Sequence, residues 1–213
     1  MSSALSFSCT GARPEQYAAS PTMLFDLTIR ESTGVRVHAA LLRAQLRIEP
    51  HRRRYSAEEA EGVHDMFGEV SRWGDTLKPI QLAMATLLTP AFTGELQIPL
   101  PVSFSYDIEV ACNKYLNAMR DGEIPILMLF SGSVFYQTDN GVQIDPVAWH
   151  EEANFRLPVA VWREMMDLHF PGQGWIQMRT DTIDALRRYR AKQADLTWDH
   201  TMERLLKDAG EPT

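Results

Sequence analysis

The sequence is poor in cysteine: Cys9 and Cys112 are the only two among 213 residues. Secreted domains more often carry several paired cysteines, so two isolated thiols fit a reducing compartment. Long hydrophobic runs are also missing. The longest, Ile124 to Phe130, is interrupted by Pro125 and falls far short of the roughly 20 apolar residues that cross a bilayer. Residues Met1 to Thr10 show no basic segment leading into an apolar stretch, so no secretory leader is expected and the cytoplasm is the expected compartment. Positive charge is in deficit, with a net charge of −7 and a pI near 5.4. Nucleic-acid phosphates call for clustered Lys and Arg over a whole face. Neither a nucleic-acid partner nor membrane insertion is therefore expected. Internal repeats and low-complexity segments are absent as well.

What is present is an ordinary globular composition, 45% hydrophobic. A chain of this length buries roughly 70% of its unfolded surface and needs no covalent staples. One α+β domain over 1–213 is expected, β-rich over 1–156 and helical over 157–213.

The first twenty residues read as an extended lead-in. Met23, Phe25, Leu27 and Ile29 alternate with polar residues, the period of a strand with one buried face. Ser32, Thr33 and Gly34 signal a turn. From Val35 to Glu49 a second strand is expected, with Leu42, Ala44, Leu46 and Ile48 inward and Arg43, Gln45 and Arg47 outward. Together the two read as a hairpin. Ser56-Ala57-Glu58-Glu59 is a capping-box pattern and predicts a short helix to about Phe67. Leu77 to Leu88 fits a buried helix or a strand equally well. Val102, Phe104, Tyr106, Ile108, Val110 and Cys112 alternate strongly and predict a strand. After Asp121-Gly122, the stretch Ile124 to Gln137 reads as a central strand. Asn140-Gly141 suits a two-residue type I′ turn, which would pair Val134–Thr138 with Val142–Asp145. The sum is an antiparallel β-sandwich or strongly curved sheet.

From Pro158 the period changes to that of helices. Val161, Trp162, Met165, Met166 and Phe170 mark the first, with Pro158 at its first position. Ile183, Leu186 and Tyr189 mark a second after Asp181. Trp198, Met202, Leu205 and Leu206 mark a third after Thr197. Packing of these helices on the sheet is expected, since an amphipathic stripe must bury its face.

Catalytic and metal-binding motifs do not emerge. The six histidines form neither His-Glu-x-x-His nor a Cys/His zinc spacing. His150-Glu151-Glu152 reads as a turn after a strand, and Glu61 with His64 as a solvated surface pair. Ser131-Gly132-Ser133 lies within a strand rather than at a nucleophile elbow, and Gly132 there marks a bulge or a close backbone approach. Cys112 is expected to be buried and inert. Gly172-Gln173-Gly174 follows a helix, the wrong order for a phosphate loop. No catalytic residue, metal ligand or cofactor is assigned, and the protein is not expected to be an enzyme.

One local excess of positive charge stands out: Arg43, Arg47, Arg52, Arg53 and Arg54. Arginine makes bidentate contacts with carboxylates, which makes these five the expected partner-binding residues. Glu49, Glu58 and Glu59 stand close by, and a solvated charged face is the plainer alternative. Trp149, Trp162, Trp175 and Trp198, with Met165, Met166, Met178 and Met202, suit an adaptable binding surface or a helix–sheet core.

Four strings carry a resemblance: Gly11-Ala12-Arg13-Pro14-Glu15-x-Tyr17, Arg47-Ile48-Glu49-Pro50-x-Arg52-Arg53-Arg54-Tyr55, Arg72-Trp73-Gly74-Asp75-Thr76-Leu77 and Leu157-Pro158-Val159-Ala160-Val161-Trp162. With them nearly the whole chain resembles an uncharacterised bacterial domain-of-unknown-function family whose genes tend to neighbour nickel–iron hydrogenase operons. The resemblance implies an accessory or maturation role and transfers no catalytic residue. In architecture alone, strands followed by helices are similar to the export-chaperone fold.

These readings lead to a non-enzymatic protein-binding accessory or assembly factor, chaperone-like, with a hydrogenase component as a partner that the resemblance implies. Two rivals stand beside it. One is a small-ligand binder or enzyme with a Trp- and Met-lined pocket between sheet and helices. The other is a structural subunit of a homo-oligomer.

Overall fold

The computed structural model describes residues 5–104, 109–138, 141–172 and 178–211, the side chains of 109–111 and 113 excepted. The chain divides into two compact units, Met1–Gln173 and Gly174–Thr213.

In the first unit two antiparallel sheets share one core. The smaller contains β1 (Leu5–Pro14), β2 (Thr22–Glu31) and β5 (Glu95–Ser103), with β2 in the middle. The larger runs in the order β4 (Ile80–Leu88), β3 (Val37–Ile48), β6 (Glu123–Thr138) and β7 (Gly141–Pro146). Strand β8 (Glu152–Pro158) pairs with the first half of β6. Stacked rings of Phe7 and Phe130, 4.1 Å apart, and an edge-to-face pair of Phe25 and Phe155 join the two sheets. The inward residues of β3 that the alternation selects, Leu42, Ala44, Leu46 and Ile48, are all buried. The α+β class and the antiparallel strand architecture agree with the sequence.

The expected central strand is present as β6, which is paired along both edges. Its hairpin with β7 has the expected register, Val134 opposite Asp145 and Gln137 opposite Val142; residues 139–140 of the turn lie outside the described residues. Gly132 has φ +141, and a Cβ there would sit 2.0 Å from the Leu41 carbonyl oxygen. The close backbone approach between β6 and β3 thus requires glycine.

Three expectations need correcting. The segments around Met23–Arg30 and Val35–Glu49 do not form a hairpin. Both edges of β2 are already taken by β1 and β5, so the chain crosses to the other sheet after Glu31. The buried Glu31 carboxylate holds that crossing, accepting from the backbone N–H groups of Thr33 and Gly34 at 3.0 and 2.7 Å. The expected lead-in contains strand β1, whose 10 residues run from Leu5 to Pro14. The predicted strand Val102–Cys112 ends at Ser103; residues 105–108 lie outside the described residues, and a helix, Glu109–Ala118, follows. Cys112, Tyr115, Leu116 and Met119 are buried at helical spacing, so a helical stripe begins where the alternation seemed to continue. The ambiguous Leu77–Leu88 segment resolves as β4.

Numbered in chain order, the helices of the first unit are α1 (Ala57–Gly62), α2 (His64–Phe67), α3 (Trp73–Thr76), α4 (Glu109–Ala118) and α5 (Val159–His169). The capping box at Ser56 forms with both of its hydrogen bonds. Pro158 is the cap before α5 rather than its first residue, since its ψ of 133° is extended. Trp162 and Met165 of α5 are fully buried in the core.

The second unit holds α6 (Thr180–Gln193) and α7 (Trp198–Ala209). Ala194 takes the left-handed conformation after α6, and Thr197 caps α7 by accepting from the His200 N–H at 3.2 Å. The Asp195 carboxylate accepts from Arg204 at 2.7 Å, and the Arg190 guanidinium stacks over the Trp198 ring at 4.4 Å.

Candidate functional site

The two faces of the larger sheet follow from strand alternation, and the outward one carries Arg43 and Arg47 of the five candidate arginines. Across it Leu88, Leu41 and Ser133 lie opposite one another, then Thr86, Arg43 and Ser131, then Met84, Gln45 and Leu129, then Arg47, Leu127 and Asn154. On β7, Ile144 continues the face opposite Phe135. Large apolar side chains stay in solvent here: Leu41 is 48% exposed, Met84 51%, Leu88 66%, Val142 58% and Ile144 60%. Scattered apolar exposure is normal on a soluble protein, but a contiguous group marks an interaction surface. The face is polarised. Its apolar end spans Leu88, Leu41 and Ile144; its basic end holds Arg43, Arg47 and Arg156, the last on β8 opposite Pro125, with Met84 set between the Arg43 and Arg47 rows. Between β7 and β8 the chain leaves the sheet edge, and Trp149, at the tip of that excursion, is 92% exposed.

The five arginines singled out in the sequence are not one surface. Arg43 is exposed on β3 and, among the described residues, has no ion-pair partner. Arg47 lies 3.8 Å from the buried Glu49 carboxylate. Arg52 donates to the Asn154 side chain. Arg53 turns inward, its side chain 6% exposed, and donates to Glu59 at 2.6 Å, to the Glu123 carbonyl at 2.6 Å and to the Asp121 carbonyl at 2.7 Å. Arg54 is exposed at the mouth of a cleft of about 710 Å³, which Arg52, Tyr55, Gly122 and Arg156 also line.

Arg53 belongs to a buried polar network instead. Burial alone would raise the Glu59 carboxyl, but the Arg120 and Ser56 backbone N–H groups and the Arg53 guanidinium outweigh it and hold the pKa below the usual carboxylate value. Beside it, the Tyr55 hydroxyl donates to the Pro50 carbonyl and lies 2.8 Å from the Tyr115 hydroxyl. Burial pushes the Tyr55 phenol up to about 12 and the Tyr115 phenol well above its ordinary value. Both phenols stay neutral, with the character of a structural linchpin rather than of a general base.

No group of three or more His, Cys, Asp or Glu side chains among the described residues is placed to hold a metal ion. His150 lies 3.6 Å from Glu151. His64 meets Glu69 at 3.2 Å rather than Glu61. The Cys112 thiol is buried, donates to the Gln81 carbonyl at 3.0 Å and has its pKa raised to about 11 by burial. A thiol so far above neutrality carries almost no thiolate. A cleft between β1 and α5 is lined by Arg13, Arg163, Glu164 and Asp167 rather than by tryptophan and methionine. No helix among the described residues is long and apolar enough to cross a membrane.

Sequence reasoning missed Arg156 and the apolar half of the outward face. Leu41 was readable, since it shares the alternation of Arg43. Met84 and Leu88 were not, because their segment fits helix and strand alike, and Ile144 joins the face of Leu41 only through the pairing of β3 and β7 with β6.

Over residues 2–213 the chain matches a family described as a family of unknown function, DUF6084, and it belongs to that family. No curated protein matches the sequence. Over 71% of its length the chain is similar to a selenomethionine-labelled β-glucosidase from Kluyveromyces marxianus, at 4% identity and a TM-score of 0.26. It is also similar, over 71%, to β-glucosidase 3B from Thermotoga neapolitana in complex with alpha-D-glucose, at 12% identity and a TM-score of 0.21. The chain spans only 14% and 17% of those two chains. At such scores the likeness carries no argument.

Proposed function

We propose that this member of the DUF6084 family is a non-enzymatic, protein-binding accessory or assembly factor of the cytoplasm, which holds its partner against the outward face of the larger sheet. The observation that carries the reading is the polarised face itself, with exposed Leu41, Met84, Leu88, Val142 and Ile144 beside Arg43 and Arg47. Apolar contacts supply affinity and peripheral charges supply orientation and encounter rate. Such a face suits a partner segment that is apolar along part of its length and acidic at one end. The exposed Trp149 at the sheet edge has the chemistry of an interface anchor. The hydrogenase neighbourhood implied by the resemblance makes a hydrogenase component the first partner to try.

The test compares variants against wild type on one defined partner. Met84→Glu with Ile144→Glu is expected to lower its affinity by about tenfold or more, and Arg43→Glu with Arg47→Glu to slow its association. Unchanged binding by both variants overturns the reading. The homo-oligomer reading has the same face as its natural contact; a wild-type dimer in light scattering, dissolved by Met84→Glu with Ile144→Glu, would make the occupant a second copy.

A further inference from the structure

The cleft beside the buried network adjoins the basic end of the outward face, away from the apolar end at Leu88, Leu41 and Ile144. Its inner wall is fixed: Arg53 is tied to Glu59 and to the Asp121 and Glu123 carbonyls. Gly122, in the left-handed conformation at φ +69, carries the chain past that guanidinium; a Cβ there would lie 3.6 Å from it. The mouth is different. Arg54 and Arg156 both line it, both are exposed, and among the described residues neither has a hydrogen-bond or ion-pair partner. Arg52, held by Asn154, adds a third guanidinium. Glu59 neutralises Arg53, which leaves three arginines, Arg52, Arg54 and Arg156, against two carboxylates, Asp121 and Glu123, in the lining. Elsewhere the chain is acidic, with a net charge of −7, so an anion gains little from its general field. Guanidinium groups without partners form bidentate bonds with planar or tetrahedral oxyanions, and two such residues line this one open cleft.

We propose that this cleft binds an oxyanion, a phosphate or a carboxylate, between Arg54 and Arg156, with Arg52 as the third contact. Such a ligand would give a counter-charge to two exposed arginines that line one cleft. Arg156 also stands at the basic end of the protein-binding face, but anion binding is read without any protein partner, so the two readings can fail independently.

The experiment is thermal unfolding of the full chain with pyrophosphate in one arm and propane-1,2,3-tricarboxylate in the other, each matched for ionic strength with sodium chloride. At about a hundred times its dissociation constant, a ligand confined to the folded state should raise Tm by about 5 °C. A rise in the first arm alone identifies a phosphate, in the second alone a carboxylate, and in both a general oxyanion site; each supports the proposal. Arg54→Gln with Arg156→Gln should keep the ligand-free Tm within about 2 °C, since exposed unpaired side chains contribute little to stability, and should abolish the rise. No rise in either arm, or a rise that survives in the double variant, overturns it. Isothermal titration of pyrophosphate and of the tricarboxylate into wild type and into Arg54→Lys with Arg156→Lys separates charge from geometry. The lysine variant should bind at least about fivefold more weakly, because a lysine cannot form the bidentate contact.

Discussion

The inward and outward faces of the larger sheet come from the same strands yet obey different rules. On β3, Leu42, Ala44, Leu46 and Ile48 are buried, while one residue away Leu41 and Arg43 stand in water. The arginines repeat the contrast at the scale of three consecutive residues, with Arg53 inside and Arg52 and Arg54 outside. Composition does not separate the two members of either pair. What separates them is whether the site satisfies the side chain: Arg53 has three oxygen partners in the interior, and Leu41 has no layer above it. The lesson is that one sheet has a side that carries the core and a side free for the proposed recognition, and mutations should sort accordingly.

The sharpest break in that comparison comes from the buried ion pair. Arg53→Met leaves Glu59 without its counter-ion and should cost about 3–5 kcal/mol, read by chemical denaturation; Arg43→Met, one face away, should cost almost nothing. Leu46→Ala in the core should lose about 2–4 kcal/mol, against a few tenths for Leu41→Ala. Gly132→Ala forces a Cβ onto the Leu41 carbonyl and should lose about 1–3 kcal/mol. The loss should come with local opening of the β3–β6 ladder in hydrogen exchange.

Acid sharpens the same contrast. The folded-state pKa of Glu59 lies below its ordinary value, so its contribution to stability is complete above the unfolded carboxylate pKa of about 4.3 and is lost as pH falls through the lower folded value. Stability should decline below about pH 4.3 in wild type. In Glu59→Gln the baseline is lower and that share of the decline is missing. A variant with the full wild-type acid slope would remove Glu59 from this role. The smallest effect is the most informative for function: Met84→Glu with Ile144→Glu should leave Tm within about 2 °C of wild type while weakening the partner.

Much of the fold was legible because local chemistry agreed with the outcome. The capping box at Ser56, the Thr197 cap, the Asn140-Gly141 hairpin register and the apolar run of β6 all rest on short-range rules. Assignment of strands to sheets was not legible. Strand β3 pairs with β6 across gaps that run from Ile48–Ile126 to Val37–Tyr136, while β2, its neighbour in the chain, lies in the other sheet, so adjacency pointed the wrong way. At Ile108–Met119 two periods overlap, and Cys112 belongs to both; only burial of Tyr115, Leu116 and Met119 together selects the helix. The candidate site was half legible. Alternation placed Arg43 and Arg47 outward, but nothing in Arg52-Arg53-Arg54 signals which of the three turns inward. That choice is made by the Asp121 and Glu123 carbonyls of a turn distant in sequence.

The most direct test of the outward face as the binding surface is site-specific photo-crosslinking with the defined partner. A crosslinker is placed at position 88 or 144 on that face, or at the exposed position 17 of the β1–β2 connection. The account predicts saturable adducts at 88 and 144 that unlabelled protein competes away and that Arg43→Glu with Arg47→Glu diminishes, with none at 17. Adducts of equal strength at 17, or their absence from both sheet positions while the partner remains bound, would contradict it.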